Sequence, residues 1–450
     1  MGHEVGLLAT KIYPTGLYVS EDYMHHREAQ KTTKAAIANF DVPAIFEGAF
    51  VYDGIRIRVD ILERLSNDRW NMIEVKSATS AKEVYIVDAA IQYYVLNGAG
   101  LGLDRVGILH LNNQYVYDGV RLDLNQLFHF AELTEEVHRR QESIANQVES
   151  LKTVISSDLP PAISPSRHCL NPYKCEFWEH CTQDKPKFWV MGLSGITNQK
   201  FDQLAEIGVE GIGDIPENFP LTALQDRIRQ CVSSNQEFIS PDLRSELLDV
   251  EYPIHFLDFE TIAPAVPRYA GTRPYETIPF QWSDQVLSED GSIEHREYLC
   301  TEDKDPRGEF TETLIEALGE TGTIFTYTGY EERILKDLAD NLPRFEQRLL
   351  SLASRFKDLY AIIRRHYYHP LFHGSFSLKY VLPALVPSMS YENLSIQEGT
   401  LASLEYMRMI DAGTSAREKE RIKRDLLEYC GNDTLGMVMV RNELLKRTSG

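Results

Sequence analysis

The chain has 450 residues, of which 43% are hydrophobic and 25% charged, and a formal net charge of -21. That length exceeds what one hydrophobic core usually organises, so two or three domains are expected; six cysteines are too few for a disulfide scaffold of this size. No apolar run nears the length of a membrane span and the start MGHEVGLLATKIYPTG lacks a secretory signal, so the expectation is a cytoplasmic α/β multidomain protein with no membrane partner. The acidic balance weighs against nucleic acid, whose phosphates are met by Lys and Arg, although metal sites built from carboxylates contribute to such a balance.

From Ala44 to about Leu111 the pattern predicts a compact α/β unit. IFEGAFVY, IRIRVDILERL and WNMIEVKSA alternate apolar and polar residues and are expected to form successive antiparallel strands. VYIVDAAIQYYVLNGAG has helical spacing and closes on glycines, and VGILHLNN follows as another strand. Asp60 ends IRIRVD, while Glu74 and Lys76 sit two apart on the next strand and share a face. This spacing suits metal-assisted hydrolysis, with Asp and Glu holding the ion and Lys positioning water or stabilising developing charge. An isolated Glu-x-Lys says little, and ion pairing between strands is the alternative; the order Glu47, Asp60, Glu74-x-Lys76, then Gln92 on a helix carries the reading. It resembles the PD-(D/E)xK nuclease superfamily, particularly RecB-like and CRISPR-associated nucleases. The resemblance implies a restriction-endonuclease-like domain over 1–160, with Glu47, Asp60 and Glu74 as metal ligands and Lys76 and Gln92 as catalytic residues. Gln92 fits that family's Gln-and-Tyr element better than Tyr94 does.

Residues from about Asp123 to Ser156 carry helix-type patterning, and the proline-rich LPPAISPSRHC should end the first domain. Over 161–185, RHCLNPYKCEFWEHC spaces Cys169, Cys175 and Cys181 evenly among aromatics, which suggests metal rather than disulfides. The segment resembles the group that holds a [4Fe-4S] cluster in RecB-like enzymes, where a further cysteine lies near the N-terminus; no cysteine precedes Cys169 here. Zn²⁺ with His168 or His180 as fourth ligand, or an unmetallated aromatic patch, are the alternatives. Cys231, Cys300 and Cys430 read as core residues. Over 186–250, ITNQKFDQLAEIGVEGIGDIPE predicts a helix, a glycine-containing hairpin and further helices to about Leu248. This is either a plain helical linker or a unit resembling a helix-hairpin-helix.

A second α/β pattern fills 251–450. YPIHFLDFET is an apolar strand with embedded acids, FQWSDQVL its expected hairpin partner, and TIFTYTGYEERILKDLA reads strand, turn, helix. Residues 415–446 form a long amphipathic helix. Asp258 and Glu260 flank Phe259 and project from one face of their strand. Two acids on an apolar strand are costly unless something positive neutralises them, and a divalent metal is the simplest candidate. Glu331, with Glu332 as its rival, sits at a strand-to-helix junction. Tyr429 and Asp433 lie one turn apart on a helix face that Ile422 and Leu426 continue inward.

FLDFET, YTGYEERIL and YCGND stand in order over about 180 residues and resemble the three motifs of the DEDD, RNase H-like 3′-to-5′ exonucleases. Thr328 and Glu331 replace that family's usual Asn and Asp in the second motif. The resemblance implies that Asp258, Glu260, Glu331 and Asp433 hold two Mg²⁺ or Mn²⁺ ions while Tyr429 orients the attacking water. Asp358 is expected to cap a helix rather than to act in chemistry. The basic stretch with Arg364, Arg365 and Lys379 is a candidate strand-binding groove.

Over its whole length the arrangement resembles a bacterial family that joins two such nuclease-like domains, domain of unknown function 2779. The motifs imply a metal-dependent nuclease with nucleic acid as partner, DNA before RNA, in DNA repair or defence. A nucleic-acid-binding scaffold with inactive sites and an iron–sulfur redox regulator are the other classes.

Overall fold

The computed structural model describes residues 2–66 and 69–449 and divides into two compact units, one of 1–163 with 263–276, the other of 164–262 with 277–450. In the first, helices α1 (Gly2–Thr10) and α2 (His26–Ala38) accompany a six-stranded sheet of β1 (Leu17–Tyr18), β2 (Ala44–Tyr52), β3 (Ile55–Arg64), β4 (Trp70–Lys76), β5 (Leu103–Leu111) and β6 (Phe128–Glu132), in that order. Strands β2, β3 and β4 are antiparallel as the alternation predicts, and α3 (Glu83–Gly98) carries the chain across to β5, which runs parallel to β4. Helix α3 packs on the sheet and on α5 (Thr134–Ile155), burying Ala89, Ala90, Val95 and Leu96. The stretch expected to be helical from Asp123 instead opens with the single turn α4 (Leu124–Leu127) and strand β6 before α5 begins. Its alternating FHFAE pairs with β5 across five residues, and the sheet edge outweighs the helical composition there.

The segment 263–276, which lies in sequence between two strands of the second unit, belongs to the first. Ala265 is buried among Val5, Phe46 and Ile73. Tyr117 N–H donates to Thr272 O at 3.0 Å and Gly271 N–H to Tyr117 O at 2.7 Å, while the Tyr275 hydroxyl donates to Ser77 O.

The second unit begins with the short α6 (Trp178–Thr182), α7 (Asn198–Glu206), α8 (Ala223–Ser234), β7 (Phe238–Ile239) and α9 (Leu243–Leu248). The glycine-containing stretch after α7 is not a hairpin of two helices: Gly208 turns the chain at φ 74°, Gly211 bridges to Trp189, and a 3-10 turn at Ile212–Asp214 precedes α8.

A five-stranded sheet follows, made of β8 (Ile254–Ile262), β9 (Ile278–Leu287), β10 (Ile293–Leu299), β11 (Ile324–Thr326) and β12 (Phe356–Asp358), in the order β10-β9-β8-β11-β12. β9 pairs antiparallel with β8 as expected, but the connection is the excursion 263–277 rather than a tight hairpin. β11 and β12 are parallel to β8. Helices α10 (Arg307–Leu318), α11 (Tyr330–Asn341) and α12 (Glu346–Ala353) bury Phe310, Leu314, Ile334, Leu335 and Leu349 with Leu257 and Phe259 of β8. After α13 (Leu359–His366), β13 (Tyr367–Tyr368) pairs with β7, and α14 (Leu378–Leu385) and α15 (Gly399–Ile410) lead to α16 (Ala416–Arg447). Helix α16 crosses β8 and β9, burying Ile422, Leu426 and Cys430.

Gly374 is a steric keystone of this unit: its φ is 80°, and a Cβ there would lie 1.8 Å from Gly192 O. Gly374→Ala is expected to cost about 1–3 kcal/mol from backbone conformation alone, with the clash added. A denaturation midpoint equal to wild type would contradict this packing.

Candidate metal centre

Strand β8 presents Asp258 and Glu260 on one face, and α16 brings Asp433 over them. One ligand oxygen from each of the three lies within 4.8 Å of the other two, the one such group of three found among the described residues. Asp258 and Asp433 open onto a cleft of about 790 Å³ that Tyr327, Thr328, Tyr360, Lys379 and Tyr391 also line, whereas Glu260 is buried. Glu331 enters from the first turn of α11, is buried, and leaves Oε2 without a hydrogen-bond partner. Its neighbour Glu332 instead pairs with Lys336 at 2.6 Å on the helix surface, which decides between the two in favour of Glu331 as the inward acid. Thr328, just before α11, holds the unusual φ of 120° for a non-glycine residue, and its hydroxyl accepts from Tyr330 N–H at 3.3 Å.

Burial dominates the electrostatics, with the crowding of acids behind it. Burial, then Asp433, Glu331 and Glu260, push Asp258 well above the usual carboxylate range. Burial and the charges of Asp433 and Glu331 do the same to Glu260. Glu331 is raised to about 8 by burial with Asp358 and Asp433 nearby. Asp433 rises only to about 6, because a hydrogen bond from Tyr391 and the charge of Lys379 offset its burial. Carboxylates that resist ionisation for want of positive charge form the donor set a hard divalent cation takes. The all-oxygen cluster and the orphaned Glu331 Oε2 both fit such an ion, with Asp258, Glu260, Asp433 and Glu331 as the residues able to hold it.

Tyr429 lies one turn before Asp433, and burial pushes its hydroxyl far above neutrality. Asp358 caps α13, accepting from Ala361 N–H at 3.0 Å, as its position predicts. Of Arg364, Arg365 and Lys379 it is Lys379 that lines the cleft; Arg364 and Arg365 are exposed at the end of α13, where their carbonyls accept from Arg227. Two neighbours escaped the sequence reading. Tyr391 donates its hydroxyl to Asp433 Oδ1. Cys430, assigned to the core and indeed buried, also places Sγ 3.6 Å from Asp258 Oδ2. A turn-forming, irregular context hides Tyr391 from any periodicity.

In the first unit Glu47, Asp60, Glu74 and Lys76 line a separate cleft of about 330 Å³. Asp60 lies within β3, which continues to Arg64 rather than ending at the acid. Glu47 interrupts the β2–β3 register at φ 57°. Asp60 Oδ2 accepts from Val75 N–H at 2.7 Å. Lys76 Nζ donates to Glu74 Oε1 at 2.8 Å and to Asp88 Oδ2 at 2.6 Å, and Gln92 Nε2 donates to Glu74 Oε2 at 2.8 Å. Burial, with Asp60 nearby, raises Glu74 to about 8, and burial raises Asp60 to about 6. Tyr94 turns away to Asp53. His3 and Tyr18 line the cleft and Asp88 braces it, all three unflagged by the sequence because no short motif carries them. Cys169, Cys175 and Cys181 are free thiols, and neither they nor His168 and His180 gather into a group of ligand atoms of the kind the three acids form.

A pH dependence follows. The unfolded Glu331 carboxyl loses its proton near 4.5 and the folded one near 8, so in chelator-treated protein stability should fall as pH rises through that window. Glu331→Gln should flatten this slope in denaturation series between pH 5 and 8; an unchanged slope would show that Glu331 is not held protonated. Glu74 contributes with the same sign, so some slope remains.

No curated protein and no solved structure matches the chain. Residues 255–377, which include all but the first residue of β8 together with β11 and Glu331, match the model of the family described as a domain of unknown function (DUF2779), the family whose resemblance the motifs carry.

Proposed function

We propose that the chain is a metal-dependent nuclease whose second unit trims nucleic acid from the 3′ end. The observation that carries this reading is the meeting of Asp258, Glu260 and Asp433 within 4.8 Å at the floor of an open cleft, with Glu331 buried beside them. In chain order the sheet places its third, second, first, fourth and fifth strands side by side, the second antiparallel to the first. That order supports an RNase H-like arrangement, with the leading acids on the central strand.

Bound divalent ions would supply charge neutralisation and an activated water for phosphodiester hydrolysis. The chain's own residues do the rest. Glu260 and Glu331, buried, fix the deep side of the cluster, while Asp258 and Asp433 face the cleft where a phosphate enters. Tyr429 stays protonated at neutral pH, so it orients water through its hydroxyl and does not act as a base. Lys379, the cation of the cleft wall, meets the phosphate backbone.

The first unit resembles a PD-(D/E)xK site in residue types, yet both oxygens of Glu74 are already engaged by Lys76 and Gln92. That pairing favours a strand-gripping role for the first unit over a second cutting centre.

With 5′-labelled single-stranded DNA and RNA and Mn²⁺ or Mg²⁺, a ladder shortening from the 3′ end is expected. Asp258→Ala and Asp433→Ala should each lower its rate by at least about a hundredfold, the upper range for a mere outer-shell partner. Glu74→Ala should leave the ladder in place and weaken strand binding. Trimming that persists in either aspartate variant would refute the site, and no cleavage under any metal would leave a binding scaffold.

A further inference from the structure

We infer that Tyr391 is a positioning residue for the acidic cluster, its hydroxyl fixing the Asp433 carboxylate and thereby setting the cluster's affinity for a divalent cation. The inference rests on the metal-centre reading above and deepens it. Tyr391 lies in the irregular chain between α14 and α15, is buried, and lines the cleft. Its hydroxyl donates to Asp433 Oδ1. Its ring is held on two sides: the Tyr429 ring meets it at 6.4 Å and 61°, and Lys379 Nζ stands 5.9 Å from its centroid.

The Asp433 side chain needs such a partner. It reaches in from α16 toward Asp258 and Glu260, and like charges at that range drive a free carboxylate to rotate away. An ammonium in the same place would hold it but also compete with a cation for the cluster. A phenol donates one hydrogen bond without adding charge, so it orients Asp433 and leaves the acids' negative potential for the ion. Tyr391 touches no substrate in this account; it acts through Asp433, as outer-shell donors act on metal-ligating carboxylates.

The test is Mn²⁺ binding by the full chain, read from the paramagnetic resonance of the free ion after chelator treatment. Every sample also carries Glu74→Ala, to silence the cleft of the first unit. Tyr391→Phe keeps the ring and its neighbours and removes the hydroxyl alone; it should weaken binding by about 10-fold or more. In an Asp433→Asn background the same change should add less than about 2-fold, because the group through which Tyr391 acts has gone. Binding within about 2-fold of the parent, equal weakening in both backgrounds, or loss of folding by circular dichroism would each overturn the assignment, the last two by marking a packing role. A parent chain that binds no Mn²⁺ would overturn both this inference and the metal-centre reading. A parent that binds Mn²⁺ while the unsubstituted chain trims no strand would refute the nuclease reading alone, with the Tyr391 result standing.

Discussion

The second unit is organised around an unfavourable interaction: four carboxyl groups brought together beneath a cleft whose lining ammonium is Lys379. Burying charge in this way costs stability unless it is neutralised, so the surrounding structure must supply the rigidity that keeps the acids from separating. β8 does so from below, with Leu257 and Phe259 anchored in a core of α10, α11 and α12 side chains on its far face. α16 does so from above, with Ile422, Leu426 and Cys430 seated against the same sheet. Glu331 is delivered by the sharp turn at Thr328, whose backbone conformation is itself a stored cost. Sheet, helix and turn converge on one point, and a site that gives up stability for charge density is the kind that binds ions or reacting groups.

The first unit shows the opposite treatment of similar residues. Glu74 is also buried and also raised, yet Lys76 and Gln92 take both its oxygens and Asp88 completes the array. Both Glu74 oxygens have internal partners, whereas in the second unit Glu331 Oε2 has none. Two clefts with related residue types thus differ in what they leave unsatisfied.

Much of this was legible because alternation and helical spacing are local. Asp258 and Glu260 had to share a strand face, Tyr429 and Asp433 a helix face, and Asp358 sat where an N-cap belongs. The three antiparallel strands around Asp60 and Glu74 followed from the same rule. What escaped depends on distant or irregular chain. Tyr391 reaches Asp433 from a segment without periodicity, and the choice of Glu331 over Glu332 required the helix phase set by Thr328. Arg364 and Arg365 were grouped with Lys379 by charge, but the end of α13 leaves the arginines on the surface. β6 was hidden by the helix-forming composition around it, and sheet pairing overrode that preference.

The segment 263–276 bears on how such a chain is made. Its backbone bonds to Tyr117 and its buried Ala265 are part of the first unit, yet they are encoded a hundred residues beyond that unit's main stretch and after β8. Domains of a nascent chain generally fold in order as they leave the ribosome. Here one of the leading unit's core clusters, the one that includes Ala265, is not complete until β8 of the trailing unit has been synthesised, while β8 cannot pair with β9 until the intervening excursion has emerged. Assembly of the two units is therefore interlocked in time, and a translational pause before residue 276 would leave the first unit with Ala265 and its neighbours still missing from the core.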